Sequence, residues 1–140
     1  MGSADQSQRG ASAVEFAVIA PLFIALLFGI VEFGMILYTN GMLAHAGREG
    51  ARFGVVYCNP RRSDSDIQNV VQGYLNRTGL TSTATIAITP PLGSRTTGTN
   101  LNVTVNYTYR FMVLPRDIND YLSGKMSNLN LTAATVMRME

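Results

Sequence analysis

Residues 9–33, RGASAVEFAVIAPLFIALLFGIVEF, decide how the rest of the chain is read. A polar leader over residues 1–10 ends in Gly10, a carboxylate follows at Glu15, and residues 16–31 carry no charge at all. A carboxylate at the head of a long apolar helix is costly to desolvate, so its position asks for a partner.

Segment 17–38, AVIAPLFIALLFGIVEFGMILY, would span roughly 33 Å as a helix rising ~1.5 Å per residue, enough for a hydrocarbon core of about 30 Å. A water-facing helix of that length shows a polar face, and residues 17–31 have none. The segment therefore belongs in lipid or in the interior of an assembly. A cleaved secretory signal is the competing reading. Against it, the apolar run is too long, no small-x-small cleavage site follows, and the helical pattern continues. Pro21 removes a backbone donor and is expected to kink or loosen the helix near Ala17. Glu32 falls about one bilayer thickness beyond Glu15, near the far headgroup boundary. There it reads equally as an interfacial carboxylate and as one with a specific pairing role.

Past Phe33 the periodicity changes character. Met35, Ile36, Thr39, Met42, Leu43, Ala46, Gly50 and Phe53 recur at steps of three and four, with Asn40, His45, Arg48, Glu49 and Arg52 between them. One continuous helix over about residues 12–57 is expected, ended by Asn59-Pro60. Ala46, Gly50 and Gly54 form a row of small residues that lets a second helix or a sheet approach closely. Each glycine costs a helix interior ~1 kcal/mol, which favours a packing reason for Gly41, Gly47, Gly50 and Gly54.

The remainder reads as a small α+β unit. Ser63, Asp64 and Ser65 offer capping oxygens, Ile67, Val70, Val71, Tyr74 and Leu75 form one stripe, and Gly79 stands where a terminating glycine belongs. A second helix over about 64–77 follows, with Asp64 and Asp66 as caps, not calcium ligands. Residues 83–89 and 129–139 are strand-like. In 101–110, Leu101, Val103, Val105, Tyr107 and Tyr109 alternate with Asn102, Thr104, Asn106, Thr108 and Arg110, the pattern of a half-buried antiparallel strand. Residues 111–125, with Pro115 and Gly124, should form an irregular excursion. About three strands cannot hide an apolar face alone. The expected fold is thus a long N-terminal helix, transmembrane then amphipathic, packed on a short second helix and a small antiparallel sheet.

Charged residues make up 14% of the chain and the net charge is +2, against about 25% charged in soluble domains. That balance argues against a nucleic-acid partner. Cys58 is the single cysteine, so it is either a half-buried small residue at a helix end or a thiol for an intermolecular bridge. It forms no convincing nucleophile pair with His45, and a lone histidine is no metal site. Asp117 and Asp120 lack both a partner histidine and the spacing of a calcium loop. Neither a cofactor nor a metal is expected. Asn-x-Thr triplets at Asn76, Asn102, Asn106 and Asn130 match a glycosylation pattern that alternating polar strand faces also generate.

Gly10 followed by Ala-Ser-Ala-Val-Glu15-Phe16 resembles the prepilin-peptidase signal of the type IV pilin superfamily. The wider string GASAVEFAVIAPLFIALLFGIVEFGMILY…AGREGARFGVV is similar to the TadE-like minor pilins or pseudopilins of the tight-adherence (Flp) branch. The resemblance is dense over the first 56 residues; beyond them only a helix-then-strands layout is shared. It implies three parts: a leader, 1–10, cut by a prepilin peptidase between Gly10 and Ala11; a helix, 11–57, membrane-embedded over about 16–38; and a distal periplasmic or extracellular domain, 58–140. Glu15 and Phe16 would be assembly residues, with Pro21 and Glu32, and Glu15 would neutralise the new amino group of Ala11. The implied partners are the peptidase, other pilin subunits in a homo- or hetero-oligomeric filament, the inner-membrane assembly platform, and membrane lipid before assembly. A structural, non-enzymatic minor subunit is expected over a major one, because the branch's major pilins are far shorter. The alternatives are a major filament-forming pilin and a permanently anchored, exported binding or adaptor protein.

Overall fold

The computed structural model describes residues 3–80, 84–112 and 128–140, with side chains from Ser12 onward. The first helix, α1 (Ser3–Val55), contains both Gly10 and Pro21 without interruption. It starts earlier than expected, because residues 3–9 contain no helix breaker and a single glycine costs only ~1 kcal/mol. It ends two residues short of the expected end, ahead of Asn59-Pro60.

The second helix, α2 (Asp64–Thr78), is fixed at both ends by local chemistry. Ser63 is the N-cap: its Oγ accepts from the Asp66 N–H at 3.2 Å, and its own N–H donates to Asp66 Oδ2 at 3.0 Å. That reciprocal pair satisfies two of the donors a helix start leaves open. Gly79 closes the helix at φ 74°, a left-handed conformation that costs glycine nothing sterically. The Ser63 hydroxyl and N–H also hold the Asp66 carboxyl below its ordinary value.

Strands β1 (Ala84–Thr89), β2 (Asn100–Tyr109) and β3 (Leu129–Arg138) form an antiparallel sheet in the order β1-β2-β3. The register places Ile86 and Ala133 on either side of Val105, and Ile88 and Thr135 on either side of Val103. Because side chains alternate across a strand, this register gathers the apolar residues on one face. Apart from Phe111 and Met112, the expected excursion over 111–125 lies outside the described residues, as do Asp117, Asp120 and the start of the strand expected from residue 83.

The architecture is α+β, and α1 covers the apolar face of the sheet with α2 packed beside it. The core joins Leu43, Ala46, Ala51 and Val55 of α1 to Ile67, Val71 and Leu75 of α2, and to Leu101, Val103, Val105 and Ala133 of the sheet. The end of the chain is tied into this body. Glu140 N–H donates to Val55 O at 3.1 Å, and Arg61 Nη2 donates to Glu140 O at 2.7 Å. Arg95, 5% exposed, donates to Pro90 O and Arg62 O, both at 3.0 Å, and pairs with Asp64. It thereby fastens the turn after β1 to the start of α2.

Candidate assembly surface

Between Ser12 and Val31 every side chain of α1 is exposed except that of Ala20, which is half-exposed. Apolar surface left in water is unfavourable by about 25 cal/mol per Å². A stem studded with Phe16, Leu22, Phe23, Leu26 and Ile30 therefore needs another apolar environment. Glu15, Phe16 and Pro21 all lie on this stem and are exposed. The stem glycines Gly29 and Gly34 have nothing within 4 Å of the position a Cβ would take. The helix is long and apolar enough to cross a membrane, consistent with a single-pass anchor.

Glu32 marks the lower limit of the distal domain. It is 4% exposed, and its Oε1 accepts from the Tyr109 hydroxyl at 2.7 Å and from the Met112 N–H at 3.0 Å. Two hydrogen bonds to one carboxylate oxygen are the charge-assisted kind, about twice as strong as neutral ones. Burial above all, then the hydrogen bond to Glu32 and the carboxylate's charge, pushes the Tyr109 phenol well above its ordinary value. Phe111 meets the Tyr109 ring edge-on at 6.0 Å between centroids, which steadies the same corner. Glu32 thus lies against the chain's own domain, and α1 is clasped from Glu32 onward.

The signal for this clasp was present in the sequence as spacing. The buried face of α1 runs through Glu32, Thr39, Leu43, Ala46, Gly50 and Gly54, so Glu32 stands one heptad before Thr39 on the same stripe. Thr39, also buried, donates its hydroxyl to Met35 O at 2.8 Å, which removes its need for an outside partner.

The small-residue row faces the chain's own distal domain. A Cβ on Gly50 would lie 2.3 Å from Val71 Cγ2, and one on Gly54 would lie 2.6 Å from Leu101 Cδ2 and 2.7 Å from Ile67 Cδ1. Ala46 is fully buried in the same core. Gly47, outside the expected row, sits 3.2 Å from Thr135 Oγ1 by the same measure, which brings α1 down onto β3. Gly41, for which a packing reason was expected, meets nothing within 4 Å, so the described residues supply none, because it lies on the other side of α1 from the stripe through Thr39 and Leu43. Cys58, just beyond α1, is half-buried and a free thiol. Among the described residues, no group of three or more His, Cys, Asp or Glu could hold a metal ion.

Residues 10–52 match the model of the family described as TadE-like protein. Over this segment, about a third of the chain, the protein is similar to TadE-like proteins. No curated protein and no solved structure matches the chain. The matched segment takes in the exposed stem, Glu32 and most of the packed half of α1, including Gly47 and Gly50. It leaves α2 and the sheet outside.

Proposed function

We propose that this protein is a structural pilin-like subunit, cut by a prepilin peptidase after Gly10 and assembled into, or initiating, a tight-adherence type IV pilus. The observation that carries the reading is the stem: about twenty consecutive helical residues that the chain's own domain leaves uncovered, headed by an exposed carboxylate. A lipid bilayer accepts such a stem before assembly, and neighbouring stems accept it afterwards. On this reading the N-terminus is cytoplasmic and the distal domain periplasmic, and the protein becomes extracellular in the pilus. The minor role is favoured over the major one, since the distal domain makes the subunit far larger than the branch's major pilins.

Cleavage would free the α-amino group of Ala11, which has a pKa of about 7.7–8.0 and is therefore largely protonated near neutral pH. Glu15 stands one helical turn further on, within reach of that amine in its own or an adjacent subunit. A buried pair of this kind adds little net stability against its desolvation, but a subunit in the wrong axial register would leave both charges unpaired. The Gly10–Ala11 bond lies within α1, so the peptidase must unwind it locally, and glycine lowers that cost by ~1 kcal/mol relative to alanine.

The test is the mass and fate of the full chain in cells that carry the pilus machinery. The wild-type chain should lose residues 1–10, G10L should keep them, and E15A should be cut yet fail to leave the cell with sheared filaments. Normal processing of G10L would refute the cleavage site, and sheared filaments containing E15A at the wild-type level would refute the pairing role. A wild-type chain retained wholly in the membrane fraction after shearing would instead favour a permanent anchor.

A further inference from the structure

The lower end of the distal domain is apolar and exposed where a soluble domain would be polar. Met112, three residues past the end of β2, is 71% exposed although its N–H is held by Glu32. At the same height on α1, Phe33, Leu37 and Tyr38 point outward. Arg110, also exposed, lines a recess with Tyr38 and Met112. Among the described residues, this collar of Phe33, Leu37, Tyr38 and Met112 continues the apolar surface of the stem past Glu32.

We propose that this collar docks the distal domain onto the bilayer surface, with the Glu32 clasp fixing the domain at that height; the inference rests on the reading of α1 as membrane-spanning. The distance along the helix supports it. From Glu15 to Glu32 is about 26 Å of helix at ~1.5 Å per residue, close to a hydrocarbon core of about 30 Å. When Glu15 sits at one headgroup boundary, Glu32 sits at the other, and Met112, bonded to it, meets the acyl–headgroup boundary. The composition suits that zone: a tyrosine with an apolar body and a polar tip, a phenylalanine, a methionine and one arginine able to reach phosphate oxygens. Glu32 itself is removed from the lipid by Tyr109 and Met112, so among the described residues the collar presents no carboxylate to the acyl chains.

The chain has no tryptophan, so single tryptophans introduced into the full chain are clean depth reporters. Three are compared in phosphatidylcholine–phosphatidylglycerol vesicles: L27W in the stem, M112W in the collar and V56W at the far end of α1. The quenchers are lipids brominated near the glycerol end or near the middle of the acyl chains. L27W should be quenched by the deep bromines, and M112W several-fold more strongly than V56W by the shallow ones. L27W quenched with M112W no better quenched than V56W overturns the docking alone; L27W unquenched overturns the spanning reading and the docking with it. Y109F, placed in the M112W chain, removes one bond of the clasp while keeping its ring. Shallow quenching should fall in that double variant, and unchanged quenching would overturn the role of the clasp.

Discussion

Gly50→Ala sets two opposing effects against each other at a single methyl group. In an exposed helix interior the change stabilises by ~1 kcal/mol, because alanine has less backbone freedom to lose. At Gly50 the new Cβ would stand 2.3 Å from Val71 Cγ2, whereas carbon atoms in contact prefer about 3.5–4.0 Å. An overlap that large cannot be absorbed by a rotamer adjustment alone, since Val71 is fully buried and Ile67 Cγ2 is only 3.5 Å from the same point. Overpacking costs about 1–3 kcal/mol, and this case belongs at the upper end. The net expectation is destabilisation by about 1–2 kcal/mol after the propensity gain is subtracted. Gly41→Ala is the matched control, because nothing lies within 4 Å of its Cβ position; it should gain up to ~1 kcal/mol. Thermal unfolding of the full chain in detergent, followed by circular dichroism, should move the midpoint down for G50A and up for G41A. At about 4–8 °C per kcal/mol for a unit of this size both shifts are resolvable. Adding Val71→Ala should relieve the overlap, so the double variant should lose less than the two single losses combined, by about 0.5–3 kcal/mol of coupling. A G50A chain as stable as G41A, or strict additivity with V71A, would refute the close approach of α1 and α2.

Tyr109→Phe keeps the ring and removes the hydroxyl that donates to buried Glu32, leaving the carboxylate short of one partner; a loss of about 1–3 kcal/mol is expected in chemical denaturation. The same phenol sets an alkaline limit. Its folded pKa lies above the unfolded value, so its contribution is complete below about pH 10 and is lost as pH rises through the raised folded value. Unfolding midpoints should therefore fall above pH 10 in the wild-type chain and fall less in Y109F; parallel profiles would refute the assignment. Ser63→Ala removes the N-cap of α2 and should cost about 1 kcal/mol. It should also let Asp66 rise toward its ordinary carboxylate value, because the Ser63 hydroxyl is the largest cause of the depression. The depressed carboxylate supports the fold above its unfolded pKa and loses that support as pH falls through the lower folded value. Nuclear magnetic resonance titration of Asp66 in both chains checks the direction, and an unmoved Asp66 in S63A would refute the capping box.

Much of the fold was legible because its signals are local. Ser63, Asp66 and Gly79 act within one turn of the helix they bound, and the strict alternation from Leu101 to Tyr109 states which residues face the core. The row of Ala46, Gly50 and Gly54 implied a close neighbour, though not which one, since spacing along a helix carries no information about what lies opposite. The partners of Glu32, which was expected to act in assembly or in a pair, and the burial of Arg95 were not legible for that same reason. Each is buried by partners far away in the chain: Tyr109 and Met112 for Glu32, and Asp64 and the Arg62 carbonyl for Arg95. A charged side chain read alone implies solvent, and only the folded geometry supplies the donors or acceptors that allow it to be buried. Gly47 falls one residue outside the row yet meets β3 as its helix cost implied, because sheet packing reaches a wider arc of the helix than a single stripe.

The two carboxylates of the apolar segment therefore follow different physical logic. Glu32 is satisfied inside its own chain, so its position relative to the distal domain is fixed, and the domain travels with that level of the helix. Glu15 stands exposed on a stem that no part of the described chain covers, and the proposed function supplies its partner from the amine freed by cleavage or from another subunit. Under the proposed assembly role, a stem that exchanges lipid for neighbouring helices is better not packed against its own domain, because every contact made there would have to be broken on transfer. Burying the helix only from Glu32 onward keeps the exchangeable surface separate from the folded one. In that arrangement one continuous helix serves both as the core element of a domain and as an uncommitted apolar rod.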